Sequence, residues 1–177
     1  MNKNICNLIN QLDDSQIDKS RKESLKPLKN YLEQKIKQNA KINLNFICTH
    51  NSRRSQFCQV WAKVIANFYG LNIHSFSGGI EITACDKRTI SSLKRMNFEV
   101  TCPLGENPQY QVNYDDNKSP LILYSKIYDD APNPKSHFVA ILTCDHADQN
   151  CPIINGVEKR IYLPYEDPKG FDNTPDE

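Results

Sequence analysis

The chain has 177 residues, enough to bury a core as one domain, and its 22 basic and 21 acidic side chains leave a formal charge of +1 with a pI near 7.6. That balance carries no polyanion-binding footprint, so nucleic acid is not an expected partner. No run approaches the ~18 apolar residues of a membrane span, and Met1-Asn2-Lys3-Asn4 leads into no secretory apolar region, so a cytoplasmic protein without a membrane partner is expected. Seven cysteines are an odd count for a disulfide framework, and in a reducing compartment they read as buried, reactive or metal-bound.

Ile5, Leu8, Ile9 and Leu12 recur at helical spacing. A second helix is predicted over 15–38, with Ile17, Leu25, Leu28, Leu32 and Ile36 as its apolar face and Pro27 as a kink or a new start. The charged residues between them form a solvated face, so residues 1–40 read as a helical arm packed on a unit at 41–177. From Lys41 the pattern alternates. The apolar run 42–47 predicts a strand, and 55–69 predicts a helix with Phe57, Val60, Trp61, Val64, Ile65 and Phe68 as its core-facing stripe and Gly70 as its stop. A strand over 71–76 is punctuated by Gly78-Gly79, and a helix over 86–97 leads into an extended stretch at 98–100. The polar, turn-rich segment 102–117 reads as a loop or an insertion. Strands follow at 121–124, 138–143 and 160–163, with a turn at 126–130. This order predicts an α/β fold, a three-layer sandwich with a mostly parallel central sheet and its ligand at the carboxyl ends of the strands.

At one such end stands Cys48-Thr49-His50-Asn51-Ser52-Arg53-Arg54-Ser55, between the first strand and the helix after it. Backbone amides at a strand-to-helix turn converge on one point, the helix dipole adds partial positive charge, and Arg54 offers a planar two-pronged donor to a tetrahedral oxyanion. Thr49, His50, Asn51, Ser52, Arg53 and Arg54 are therefore the candidate oxyanion-binding residues, with Arg53 read as facing solvent. A free cysteine titrates near pH ~8.5, and a position at a helix N-terminus beside an arginine and a hydroxyl favours its anion. Cys48 is the candidate nucleophile and Ser55 the hydroxyl that supports it.

A second constellation follows the strand ending at Thr143. Cys144 and Cys151 bracket six polar residues, which is not a zinc-finger spacing. The two thiols approach only if the segment between them folds or loops out. Asp167, followed by Pro168, supplies an acid after the last strand. Cys6, Cys58, Cys85 and Cys102 have no paired motif and read as buried thiols.

The run Phe46 to Phe57, then Ser77-Gly-Gly-Ile-Glu81, then Leu142 to Pro152, then Asp167-Pro168, together resemble the thioredoxin-coupled arsenate reductases built on the low-molecular-weight tyrosine phosphatase fold. The resemblance spans 41–170. It implies that Cys48 attacks arsenate, Arg54 holds the oxyanion, Ser55 stabilises the thiolate and Asp167 protonates the leaving oxygen. It further implies that Cys144 attacks the Cys48–arsenic adduct, expelling arsenite and leaving a Cys48–Cys144 disulfide, and that Cys151 resolves it into a Cys144–Cys151 bridge for thioredoxin to reduce. Thioredoxin is then the external partner. Three positions depart from the family: His50 stands at a usual glycine, Arg53 at a common cysteine, and Gln59 at the acidic member of a potassium site that Asn51 and Ser77 otherwise match. That site is incomplete, and no resident metal or cofactor is expected.

A low-molecular-weight tyrosine phosphatase would use the same Cys48, Arg54 and Asp167 to hydrolyse phosphate monoesters through a phosphocysteine, with no need of Cys144 and Cys151. A non-enzymatic oxyanion or redox sensor is the third reading, motivated by the 102–117 loop and the N-terminal arm.

Overall fold

The computed structural model describes residues 1–151 and 153–175; Pro152, in the second cysteine motif, and the last two positions of the 41–177 unit lie outside the described residues. Four parallel strands, β1 (Ile42–Cys48), β2 (Ile73–Gly79), β6 (Phe138–Leu142) and β7 (Val157–Tyr162), form the central sheet in the order β2-β1-β6-β7. Its registers pair Cys48 with Gly79 on one side and Ile47 with Leu142 on the other, so the end of β1 sits at the centre of the sheet's carboxyl edge.

The helices are α1 (Lys3–Asn10), α2 (Lys19–Lys37), α3 (Arg54–Phe68), α4 (Lys87–Arg95) and α5 (Asp145–Asn150). Alternation along β1 divides the core. Ile42, Leu44 and Phe46 join Val139 and Ile141 of β6 under α2 and α3, where Leu25, Leu28 and Tyr31 of α2 pack. Ile47, Phe138, Ala140 and Leu142 face the other way, towards Ala147 of α5 and the flanking Cys144 and Cys151. The sheet is therefore the middle layer of an α/β sandwich. α3 is apolar on two sides because it is covered twice: Val60 and Val64 turn away from the sheet, into a cluster with Ile5 and Ile9 of α1 and Ile90 and Leu93 of α4. Among the described residues no helix is long and apolar enough to cross a membrane.

Several predicted elements shift. The helix predicted over 15–38 starts at Lys19, because Asp18 caps it by accepting from the Arg21 amide at 2.8 Å; Ser15 belongs instead to a short 3-10 turn at Asp14–Gln16. Pro27 sits inside α2 without ending it. Gly78 and Gly79 are not punctuation but the last two residues of β2. Within the segment expected to be a loop, Tyr110–Asn113 forms β4, which with β3 (Glu99–Thr101) and β5 (Leu121–Leu123) builds a separate antiparallel sheet. Tyr110, Val112 and Tyr114 point inward at alternate positions while Gln111 is exposed, a period of two. Cys102, expected to be buried, is exposed.

Candidate active site

β1 ends at Cys48, which is only 4% exposed, and the chain turns through Thr49, His50, Asn51, Ser52 and Arg53 into α3. Every carbonyl of this turn is directed outward to a donor. Thr49 O accepts from the amides of Ile80 (2.8 Å) and Glu81 (3.0 Å), and Ser52 O from that of Asp86 (3.1 Å). His50 O accepts from the Ser125 hydroxyl at 2.7 Å, and Asn51 O from Gln56 Nε2 at 2.8 Å. The amides of His50, Asn51, Ser52 and Arg53 have no acceptor among the described residues. Unpaired backbone donors beside a helix N-terminus are an anion-binding nest, and they open on a hollow of about 360 Å³ lined by Cys48, Arg54 and Asp167.

Ser55 Oγ lies 3.1 Å from Cys48 Sγ and accepts from Asn51 Nδ2 at 2.8 Å. With that bond on one of its two lone pairs, the Ser55 hydroxyl can still turn its proton to the sulfur. Asn51 carries the left-handed turn, at φ 48°, a conformation asparagine tolerates. His50, standing where glycine is usual, is not strained in this sense: it is half-exposed, with Nε2 3.3 Å from Glu81. Arg54 Nη2 meets Asp167 Oδ2 at 2.9 Å, which brings the candidate oxyanion clamp and the candidate acid together at the mouth.

Cys144 reaches the site through the sheet. Thr143 binds Ile47 O through both its amide (2.8 Å) and its hydroxyl (3.0 Å), carrying the β1–β6 register one step further and setting Cys144 beside Thr49. Thr49 Oγ1 is 3.5 Å from Cys144 Sγ. A second hollow, about 520 Å³, is lined by Cys144 and shares Thr49, Arg54 and Asp167 with the first. Cys151 is brought near but not into these hollows. It caps the far end of α5, buried, and that burial pushes its thiol up. The segment between the two cysteines is thus a helix and not the loop its polarity suggested.

Arg53 does not face solvent. Its side chain is 14% exposed and makes two ion pairs, to Asp86 at 2.7 Å and to Asp172 at 2.7 Å. Arg53 in turn holds Asp172 below the usual carboxylate range. Neither partner was identified from sequence. Asp86 appears there only as the first residue of the predicted helix over 86–97, whose cap it is, accepting from the Arg88 amide at 2.8 Å. Of the three positions compared with a potassium site, Ser77 Oγ donates to Gln59 Oε1, and Asn51 Oδ1 accepts from the Lys126 amide at 3.2 Å.

Lys126 itself is 3% exposed, its ammonium has no hydrogen-bond partner among the described residues, and the Tyr124 ring lies under it at 4.6 Å. Desolvation lowers it to about 8. Between that value and the ordinary one near ~10.5, the unfolded chain binds a proton the folded one does not, so this group adds stability as pH rises through the window and costs most below it. Lys126→Met is expected to stabilise the protein by about 1–3 kcal/mol at pH 7 and to erase this part of the pH dependence. Urea unfolding of both proteins at pH 7 and at alkaline pH checks it; a destabilised variant at pH 7 would show that the ammonium has a compensating partner.

No family model matches the chain. Curated relatives do. Over 130 residues, 73% of this chain, it is 30% identical to arsenate reductase 2 of Staphylococcus epidermidis, covering 81% of that protein. It is 29% identical to arsenate reductase 1 of Staphylococcus saprophyticus, again covering 81%, and 26% identical to an arsenate reductase of Bacillus cereus, covering 79%.

Proposed function

The chain belongs to the arsenate reductase family, and from that premise we propose that it is an enzyme reducing arsenate to arsenite through Cys48, Cys144 and Cys151, with thioredoxin as reductant. The observation that carries the reading is a buried cysteine on a turn whose four amides have no acceptor among the described residues, with a second buried thiol one threonine away.

The Cys48 thiolate attacks arsenic and an arsenate oxygen leaves as water. Asp167 supplies the proton, while Arg54 and the loop amides hold the remaining oxygens. Cys144, as thiolate, attacks the Cys48 sulfur. The S–As bonding pair returns to arsenic, As(V) becomes As(III), and arsenite departs from a Cys48–Cys144 disulfide. Cys151 then attacks Cys144, freeing the Cys48 thiolate, and the Cys144–Cys151 disulfide takes two electrons from the thioredoxin dithiol.

The last exchange requires movement. Cys144 and Cys151 cap opposite ends of α5. A rise of ~1.5 Å per residue sets them about 10 Å apart, beyond the ~7 Å limit between Cα atoms for a disulfide. α5 must unwind for the bridge to form. A six-residue helix is a suitable element to give up, because so short a helix has little stability of its own.

Phosphate monoester hydrolysis is the second reading, favoured by the placement of Asp167 at the mouth beside Arg54. It leaves Cys144 and Cys151 without a role. Arsenate-dependent NADPH oxidation, coupled through thioredoxin and its reductase, separates the two. The wild type is expected to turn over repeatedly and Cys151→Ser to stop after about one equivalent of arsenite. Undiminished turnover in that variant would overturn the relay, and Cys48-dependent aryl phosphate hydrolysis without arsenate turnover would move the assignment to phosphatase.

A further inference from the structure

Asp167 lies on the segment that follows β7, with 55% of its side chain exposed, and the contact that fixes its carboxylate to the rest of the site is the ion pair with Arg54. Arg54 already spends Nη1 on Tyr165 O and Nη2 on Asp167, so turning both prongs of its fork to an oxyanion loosens that contact. Once a substrate takes the guanidinium, something else must hold the acid in place. The segment is fastened on both sides. Upstream, Arg21 of α2 donates through Nη1 to Pro164 O at 2.7 Å and lays its guanidinium 4.2 Å from the Tyr165 ring centroid. Downstream, Arg53 grips both oxygens of Asp172, at 2.7 and 2.9 Å. The same guanidinium holds Asp86 through Nε and Nη2, at 2.9 and 2.7 Å, so the tether is anchored to the start of α4 as well as to the catalytic turn. Arg88 adds a contact to Asp172 at 3.4 Å.

We propose that Arg21 and the Arg53–Asp172 pair are positioning residues, two tethers that keep Asp167 over Cys48 after Arg54 has been given up to the oxyanion. This rests on the reading of Asp167 as the acid. The arm before residue 41 thereby acquires a part in catalysis, since Arg21 belongs to α2. So does Arg53, whose guanidinium ties the catalytic turn to the acid-bearing segment. Forked arginine–carboxylate bonds with little exposure suit this use: they fix direction as well as distance, and water competes for them weakly.

Two variants test it, one on each tether: Asp172→Asn and Arg21→Met. General acid catalysis is worth ~10²–10⁴-fold, and a misplaced acid forfeits part of that. Each variant is expected to lower the single-turnover rate of arsenite formation by about 10–100-fold, with Cys48 alkylation by iodoacetamide changed less than ~2-fold. In Asp167→Asn, where no acid is left to position, adding either change should cost nothing further. A purely structural role would give losses that multiply, and that result overturns the proposal, as does wild-type speed in both variants. Hydrogen exchange of residues 163–172 with saturating inorganic phosphate supplies a readout independent of turnover. Protection is expected to persist in the wild type and fall about 10-fold in the variants; equal protection would also overturn it. Lost protection in a protein that never reduces arsenate would sink the functional reading and leave the tethers standing.

Discussion

Replacing Arg54 with lysine is expected to lower kcat/KM for arsenate by about 10²–10³-fold, the loss that follows removal of one preorganised oxyanion donor. Charge is conserved in this change and geometry is not. Arg54 is 15% exposed and already spans two acceptors, Tyr165 O at 3.3 Å and Asp167 Oδ2 at 2.9 Å. A lysine ammonium at the same point of α3 offers one rotating donor cluster where a planar fork matched two oxygens. The loop amides still bind the anion, so the variant should retain arsenate affinity better than turnover. Steady-state kinetics with arsenate, beside the iodoacetamide rate of Cys48, checks this. A loss under ~10-fold would mean that the amide nest does most of the stabilisation and that Arg54 chiefly holds Asp167.

Gly78→Ala is the second large effect, on stability. A Cβ at Gly78 would fall against the backbone of Tyr128, within 2.6 Å of its nitrogen. That backbone is not free to retreat. The Tyr128 amide donates to Gly79 O at 2.9 Å and Lys126 O accepts from the Gly79 amide at 2.8 Å, fastening 126–128 to the end of β2. Overpacking against fixed backbone costs ~3 kcal/mol or more, a fall in melting midpoint of roughly 6–12 °C in a protein of this size. Gly70→Ala is the control: its φ is +65° but nothing lies within 4 Å, so only the backbone strain of about 1–2 kcal/mol applies. Equal midpoints for the two variants would show that the strand end yields.

The turn from Cys48 to Ser55 was legible because its residues are contiguous and lie between an apolar strand and an amphipathic helix; Cys48, Ser55 and Arg54 stand where that local pattern places them. Asp167 and Cys144 were picked out by their places after predicted strands, but their roles came only through resemblance, since no period or spacing says which strand end faces which. The Arg53 partners were hidden for the same reason: Asp86 and Asp172 are distant in sequence from Arg53 and from each other, and an arginine on a surface turn reads as solvated until its acceptors are known. β4 was a different kind of miss. Its alternation is present in Tyr110-Gln111-Val112-Asn113-Tyr114, but flanking prolines, glycine and acidic residues outweighed five positions of pattern. The glycines misled by their type. Consecutive glycines suggest a turn, whereas here the missing side chains let 126–128 and the turn after Cys48 press against a strand.

The pairing of β1 with β6 also governs how the protein comes into being. Cys144 reaches Thr49 across 95 positions of chain, and the strands that carry them are neighbours in the sheet. Loop-closure entropy over such a separation must be met before any contact rewards it, so this pairing forms late and topologies of this kind fold slowly. Until it forms there is no buried pocket for Cys48, and Cys48 and Cys144 stand open to oxidation and mispairing. The folding chain is therefore exposed at these two thiols to the same thiol–disulfide exchange that the proposed relay uses at every turnover.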